Sequence, residues 1–193
     1  MNAVEHIVEA YFRICKRCFT IHDVKIPGGN NRQFDLLAVS LSPDQQYHVE
    51  TSAMPGFWPD TAELKSLFDT KFRGTPAPRD GPRTDRTRGK TYRQRILDAY
   101  RLFGLDPEKV TRVWVTWAVR DAENLPTFLA TYENETGIRV QLTSLRDDII
   151  PELQREVATA NYDDEVLRTL SLLKQREIQT QPSATGDAGK PRA

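Results

Sequence analysis

The fold is constrained most by two predicted strands, which are joined by a turn and each carry one acidic residue. Segment 33–39 is largely apolar but contains Asp35, and segment 47–53 is rich in strand formers and contains Glu50. Residues 42–46 between them have the composition of a turn, with a proline that fixes φ. Neighbouring strands lie about 4.8 Å apart. We therefore expect the two carboxylates to lie close enough to share one hard cation.

An acid pair in this setting resembles the metal-binding core of the PD-(D/E)xK nuclease superfamily, which includes archaeal Holliday-junction resolvases and Mrr-type restriction enzymes. The matching residues are Asp35 and, after fourteen intervening residues, Glu50, Thr51 and Ser52 in the place of the (D/E)xK tripeptide. A glycine-rich turn at 27–31 precedes the aspartate, as it often does in that family. The sequence departs from the family pattern at Ser52, which stands where the family has a lysine.

The resemblance covers residues 4–53 and implies a restriction-endonuclease-like fold, an α/β/α sandwich with a mixed central sheet. It also implies metal-dependent hydrolysis of phosphodiesters. Mg²⁺ or Mn²⁺ would be held by Asp35 and Glu50, together with Glu5 on the first helix and a backbone carbonyl near Thr51. The alternative for Glu5 is an exposed glutamate near a helix N-terminus, where negative charge is favourable.

The missing lysine is the main question that the resemblance raises. Ser52 can hydrogen-bond a water molecule but supplies no positive charge. Some members of the superfamily supply the lysine from a neighbouring helix, and Lys65 and Lys71 lie on the helix predicted at 60–72. Either lysine can reach the empty position, or both are solvated on an exposed helix face. Without such a substitute, we expect weak catalysis or none.

The remaining pattern predicts helices that alternate with strands. Hydrophobic periodicity and turn residues give a helix at 3–18, a strand at 19–26, helices at 60–72 and 91–103, a strand at 110–119, a helix at 125–136, a strand at 138–142, and helices at 145–160 and 162–178. This order predicts an α/β sandwich whose first three strands form a meander. We expect one domain at 1–178, followed by a disordered tail at 179–193.

Charge is unevenly distributed although the net charge is +0. Residues 71–95 contain nine basic and two acidic residues, a net charge of +7, whereas residues 120–165 contain four basic and eleven acidic residues, a net charge of −7. A basic loop at 73–90 predicts contact with a polyanion, with DNA favoured. The candidate nucleic-acid-binding residues are Arg73, Arg79, Arg83, Arg86, Arg88, Lys90 and Arg93.

Two other functions are compatible with the same sequence. One is a non-catalytic member of the fold that binds nucleic acid without cutting it. The other is a protein-interaction module, in which the basic loop meets the acidic region of another copy and the last leucine-rich helix packs in a homodimer or on a partner.

Two features bear on localisation. No apolar run approaches the ~20 residues that a membrane-spanning helix needs, and the first residues lack the pattern of a signal peptide.

The two cysteines, Cys15 and Cys18, have no second Cys or His pair nearby that would complete a zinc site. We interpret them as small core residues and expect a cytoplasmic protein without membrane association.

Overall fold

A five-stranded mixed sheet lies at the centre of the computed structural model, which describes residues 2–28, 32–42, 45–54, 57–75 and 91–180. The strands lie side by side in chain order: β1 (Cys18–Lys25), β2 (Gln33–Ser40), β3 (Gln46–Ser52), β4 (Val110–Thr116) and β5 (Val140–Ser144). The first three strands pair antiparallel, and β3–β4 and β4–β5 pair parallel. The predicted meander and mixed sheet are confirmed.

Six α-helices and two π-helical turns are found in the described part of the chain. They are α1 (Ala3–Ile14), α2 (Thr61–Phe68), the π-helical turn Asp69–Arg73, α3 (Tyr92–Leu102), α4 (Leu125–Thr136), the π-helical turn Leu145–Ile149, α5 (Ile150–Glu156) and α6 (Glu165–Thr180). Asn2, Asp60 and Thr91 start α1, α2 and α3 with capping boxes, in which side chains satisfy the first free backbone N–H groups. None of these helices is long and apolar enough to cross a membrane.

The helices form a layer on each face of the sheet, so the chain is an α/β sandwich. Helices α1, α5 and α6 pack on one face, against Leu36 and Val49 among others. Helices α2, α3 and α4 pack on the opposite face, against Leu37 and Trp114. Alternate residues of a strand point to opposite faces, and this explains why neighbours such as Leu36 and Leu37 belong to different clusters.

Several predicted boundaries differ from the structure. The first helix ends at Ile14 rather than at residue 18, because Arg17 has a positive φ of 53° and the chain then enters β1. Strand β4 ends at Thr116, three residues early, and β5 is shifted two residues toward the C-terminus. The helix predicted at 145–160 is divided into a π-helical turn, Leu145–Ile149, and α5, which begins at Ile150 with Pro151 in its first turn and ends at Glu156.

The predicted tail overlaps the last helix by two residues. Gln179 and Thr180 belong to α6, whereas residues 181–193 lie outside the described residues. The greater part of the predicted basic loop, residues 76–90, lies outside them as well.

Candidate active site

Asp35 and Glu50 lie where β2 and β3 separate. The ladder between the two strands ends at the pair Leu36–Val49, with Asp35 immediately before Leu36 and Glu50 immediately after Val49. One oxygen of Asp35, Oδ2, accepts hydrogen bonds from the backbone N–H of Thr51 at 2.8 Å and from its hydroxyl at 3.2 Å. These two hydrogen bonds connect Asp35 of β2 to Thr51 of β3, at the end of the ladder where the strands separate.

Glu50 is almost completely buried, with 1 % of its surface exposed. Its Oε1 lies 2.9 Å from Nε2 of His48, and its Oε2 contacts the ammonium group of Lys71. A buried carboxylate is costly unless it is paired and hydrogen-bonded, and both oxygens of Glu50 have such a partner. The side chain therefore has one oxygen toward the core and one toward a cation.

Lys71 brings a positive charge to both acids. Its Nζ contacts Glu50 and lies 4.0 Å from Oδ1 of Asp35. Burial disfavours the charged ammonium, but the charges of Glu50 and Asp35 outweigh this effect and raise the pKa of Lys71 above its ordinary value. Lys71 is therefore a cation at neutral pH.

The packing of α2 and the π-helical turn after it determines where Lys71 lies. Leu64, Phe68 and Phe72 recur at four-residue spacing and are all buried against the sheet, near Trp114. This stripe anchors the turn, so that Lys71, next to Phe72, extends along the sheet to the acids. Single π-helical turns within helical segments are frequently found at functional sites.

The pKa of Asp35 is raised from 3.8 to about 6. Burial is the largest cause, followed by the negative charge of Glu50, whereas Lys71 and the N–H of Thr51 act in the opposite direction. Glu5 adds a smaller upward effect. A carboxyl that titrates near neutral pH because of burial and a like charge is typical of functional sites.

His48 belongs to the same cluster, although the sequence interpretation did not single it out. It is fully buried, and its Nδ1 lies 2.7 Å from the hydroxyl of Tyr100 on α3. Burial is the largest of the effects on His48 and lowers its pKa, even though Glu50 acts in the opposite direction. The signal was present in the sequence, because residues two apart on a strand share one face, and His48 stands two residues before Glu50.

The other predicted site residues lie around this cluster or away from it. The ammonium group of Lys65 is exposed and pairs with Glu135 at 2.8 Å. Ser52 is the last residue of β3, opposite Thr116 of β4. Glu5 closes the capping box of α1 by accepting the backbone N–H of Asn2 at 2.8 Å. The structure thus brings Lys71, rather than Lys65, to the two acids.

The predicted basic surface is only partly described. Arg73 pairs with Asp69 at 3.5 Å, and Arg93 is exposed near the start of α3. The residues Arg79, Arg83, Arg86, Arg88 and Lys90 lie outside the described residues. Arg95, the last basic residue of segment 71–95, is buried, with its guanidinium donating to the carbonyl of Gly28.

The donor set at the open end of the ladder suits a hard divalent cation. Within the described ranges, no group of three or more His, Cys, Asp or Glu side chains is arranged to hold a metal ion. Mg²⁺, however, is commonly bound through one or two carboxylates together with water and substrate phosphate oxygens. Asp35 and Glu50 provide such a pair, and both are oxygen ligands of the type that Mg²⁺ and Mn²⁺ prefer.

Comparisons of the chain with protein-family models, with curated proteins and with solved structures gave no match.

Proposed function

We propose that this protein is a metal-dependent nuclease of the PD-(D/E)xK type, which hydrolyses phosphodiesters in nucleic acid, with DNA favoured. The observation that supports this most is the position of Lys71, whose ammonium contacts Glu50 and lies 4.0 Å from Asp35. In this proposal Lys71 takes the role of the lysine that is missing at Ser52. The strand order, an antiparallel meander followed by parallel strands, agrees with the restriction-endonuclease-like fold that the resemblance implies.

Each residue of the cluster has a defined role in the proposal. Asp35 and Glu50 hold Mg²⁺ or Mn²⁺, with the backbone carbonyl near Thr51 as a further oxygen ligand. The metal, when bound, supplies a water of lowered pKa and positive charge beside the reacting phosphate. Lys71 orients the attacking water through a hydrogen bond and balances negative charge on the phosphate oxygens, because it keeps its proton at neutral pH.

The basic segment supports a polyanionic substrate. Residues 71–95 carry a net charge of +7, from nine basic and two acidic residues, and Lys71 itself belongs to this segment. Contacts from Arg and Lys to phosphate oxygens contribute affinity without reading base sequence. We therefore expect binding that weakens steeply with salt concentration.

The test is cleavage of labelled linear duplex, branched and single-stranded DNA in Mg²⁺ or Mn²⁺. Asp35→Asn, Glu50→Gln and Lys71→Met remove one charge each with little change in size. Lys65→Met is the matched control, because it removes a lysine from the same helical segment that pairs elsewhere. Loss of cleavage in the first three variants and retention in the control would support the proposal. No cleavage of any substrate by the wild type would contradict it.

A wild-type protein that binds DNA but cuts nothing would instead indicate a non-catalytic nucleic-acid-binding protein. Mobility shifts at two salt concentrations would detect this outcome. A protein that causes no mobility shift of DNA would have neither of these two nucleic-acid functions.

A homodimeric protein-interaction module is the second candidate function, and one surface favours it. A groove of about 640 Å³ lies between α1, α5 and α6 and is lined by Ile7, Leu153 and Leu170 among others. Leu172 and Leu173 of α6 are also exposed. In this candidate the occupant is a second copy of the chain, because the opposite charges of segments 71–95 and 120–165 allow two copies to attract each other. Sedimentation equilibrium of the wild type and of Leu173→Glu would test it, and a monomeric wild type would exclude it.

A further inference from the structure

A chain of three polar contacts runs from the core to the candidate active site. The hydroxyl of Tyr100 lies 2.7 Å from Nδ1 of His48, Nε2 of His48 lies 2.9 Å from Oε1 of Glu50, and Oε2 of Glu50 contacts Lys71. Tyr100 and His48 are fully buried, and Glu50 is 1 % exposed. Water therefore does not compete for the first two contacts, so each partner depends on the next one.

The chemistry of the groups determines the direction of these hydrogen bonds. An ionised carboxylate can only accept, so Nε2 of His48 must carry the hydrogen that Glu50 receives. A neutral imidazole has a single N–H, so Nδ1 must accept the hydrogen of the Tyr100 hydroxyl. The acceptor-only carboxylate of Glu50 thus favours the Nε2–H tautomer of His48, and the Tyr100 hydroxyl, which can donate or accept, donates to Nδ1 in that tautomer.

Two aromatic rings pack against the imidazole, whose orientation is set by its two hydrogen bonds. The ring of Phe34 lies 4.3 Å from the His48 ring between centroids, and the ring of Phe72 lies 5.0 Å away nearly perpendicular to it. Phe72 belongs to the same π-helical turn as Lys71. The same π-helical turn therefore packs against His48 through Phe72 and carries Lys71, whose ammonium contacts Glu50.

We propose that His48 and Tyr100 are positioning residues for Glu50. By engaging Oε1, His48 limits rotation of the carboxylate and leaves Oε2 directed toward Lys71 and toward a bound divalent cation. The part that concerns the cation rests on the nuclease proposal above. Partners of this kind, which hydrogen-bond a metal-ligating group from behind, typically change metal affinity by about 10- to 100-fold when they are removed.

The variants are chosen to separate positioning from packing. His48→Leu removes both hydrogen bonds, whereas His48→Gln keeps an N–H donor close to the position of Nε2. Tyr100→Phe removes only the hydroxyl. Phe34→Leu is the control, because it changes packing against the same imidazole without removing a polar contact. Circular dichroism establishes that each variant is folded, and His48→Gln and Tyr100→Phe test the proposal even if His48→Leu does not fold.

Two measurements address the two parts of the proposal. Long-range ¹H–¹⁵N spectra of histidine-labelled wild type should show the Nε2–H tautomer of His48. Calorimetric titration with Mn²⁺ should give an affinity that falls by about 10- to 100-fold in His48→Leu. His48→Gln should restore most of that loss, Tyr100→Phe should show a smaller loss, and Phe34→Leu should stay within about threefold of the wild type.

The outcomes distinguish this proposal from the nuclease proposal. An Nδ1–H tautomer, or unchanged Mn²⁺ affinity in His48→Leu and Tyr100→Phe, would overturn the positioning role. A wild type that binds Mn²⁺ with the expected dependence on His48 but cleaves no nucleic acid would support the positioning role and contradict the nuclease. A wild type that binds no Mn²⁺ would overturn both.

Discussion

Lys71 and Glu50, which are 21 residues apart in the sequence, form an ion pair at the open end of the β2–β3 ladder. The glutamate is 1 % exposed, whereas the lysine side chain is 38 % exposed. The pair therefore joins a buried acid to a base that still reaches solvent. In the proposed nuclease, this asymmetry would allow Lys71 to contact the substrate while it pairs with Glu50, and it gives the first prediction.

Replacing Lys71 should destabilise the fold. Lys71→Met leaves Glu50 buried without its cation, and a buried charge that loses its partner costs several kcal/mol. Because Lys71 is partly exposed, we expect a smaller loss of about 1–3 kcal/mol in the free energy of unfolding, measured by urea denaturation. Adding Glu50→Gln to Lys71→Met should recover part of this loss, since the uncompensated charge is then removed.

Lys65→Met is the control for that measurement. Lys65 pairs with Glu135 on the surface, where an ion pair contributes little to stability. Equal destabilisation by Lys71→Met and Lys65→Met would contradict the role assigned to the pair of Lys71 and Glu50.

Replacing Asp35 should stabilise the metal-free protein at neutral pH. Its pKa of about 6 lies above its ordinary value of 3.8, so the stability that protonated Asp35 contributes is present below pH 4 and is lost as the pH rises through 6. The asparagine side chain in Asp35→Asn is uncharged at every pH. Relative to the wild type, we expect it to raise the free energy of unfolding by about 1–3 kcal/mol at pH 8 and to have little effect at pH 4.

Urea denaturation in EDTA at pH 4, 6 and 8 measures this difference. Asp147→Asn is a control of opposite sign, because hydrogen bonds from Arg146 lower the pKa of Asp147, so that its ionised form is the favoured one. Neutralising Asp147 should not stabilise the protein at any of these pH values. A stability difference between Asp35→Asn and wild type that does not change with pH would show that Asp35 has no raised pKa.

Metal affinity should depend on pH through the same carboxyl group. A divalent cation binds the ionised form, so it must displace the proton that Asp35 carries below pH 6. We expect Mn²⁺ affinity, measured by calorimetry, to fall about tenfold per pH unit below 6 and to level off above 7. Glu50→Gln should bind weakly at every pH. Affinity that is constant between pH 5 and 7 would contradict a site that contains Asp35.

Gly28 should tolerate alanine less well than Gly137. Both glycines have positive φ, 71° and 67°, so alanine at either position costs about 1–2 kcal/mol of backbone strain. A Cβ at Gly28 would also meet the guanidinium of Arg95, whereas a Cβ at Gly137 meets nothing within 4 Å. We therefore expect Gly28→Ala to lower the free energy of unfolding by about 1 kcal/mol more than Gly137→Ala in urea denaturation. Equal losses of stability in the two variants would show that the Arg95 side chain moves aside without a cost in free energy.

Local sequence patterns were sufficient for most of the secondary structure and for the meander of the first three strands. Asp60 and Thr91 start helices as their capping residues predict, and the helix Leu125–Thr136 ends before Gly137, which has positive φ. These features depend on residues within a few positions of each other, so they can be recognised without the fold. Boundaries failed where a strand began early, as at Cys18, because pairing between distant strands determines where a strand starts.

The position of the two acids also followed from the sequence, since each lies on a predicted strand and the turn between the strands is short. Lys65 and Lys71 could not be separated in this way, because both lie on one helical segment and either one satisfies the spacing. The packing of Phe68 and Phe72 against the sheet, together with the π-helical turn, directs Lys71 to the acids and Lys65 to Glu135.

The sequence by itself therefore determined the succession of helices and strands and the presence of an acid at the end of each of two neighbouring strands. Only the tertiary structure decided which cation meets Glu50, that His48 and Tyr100 stand behind it, and that Arg95 is buried against Gly28. The physical reason is the separation along the sequence between the residues that determine each feature. Helices and strands arise from patterns among neighbouring residues, whereas these contacts join residues 21 to 67 positions apart, apart from His48 and Glu50, and depend on how whole elements pack.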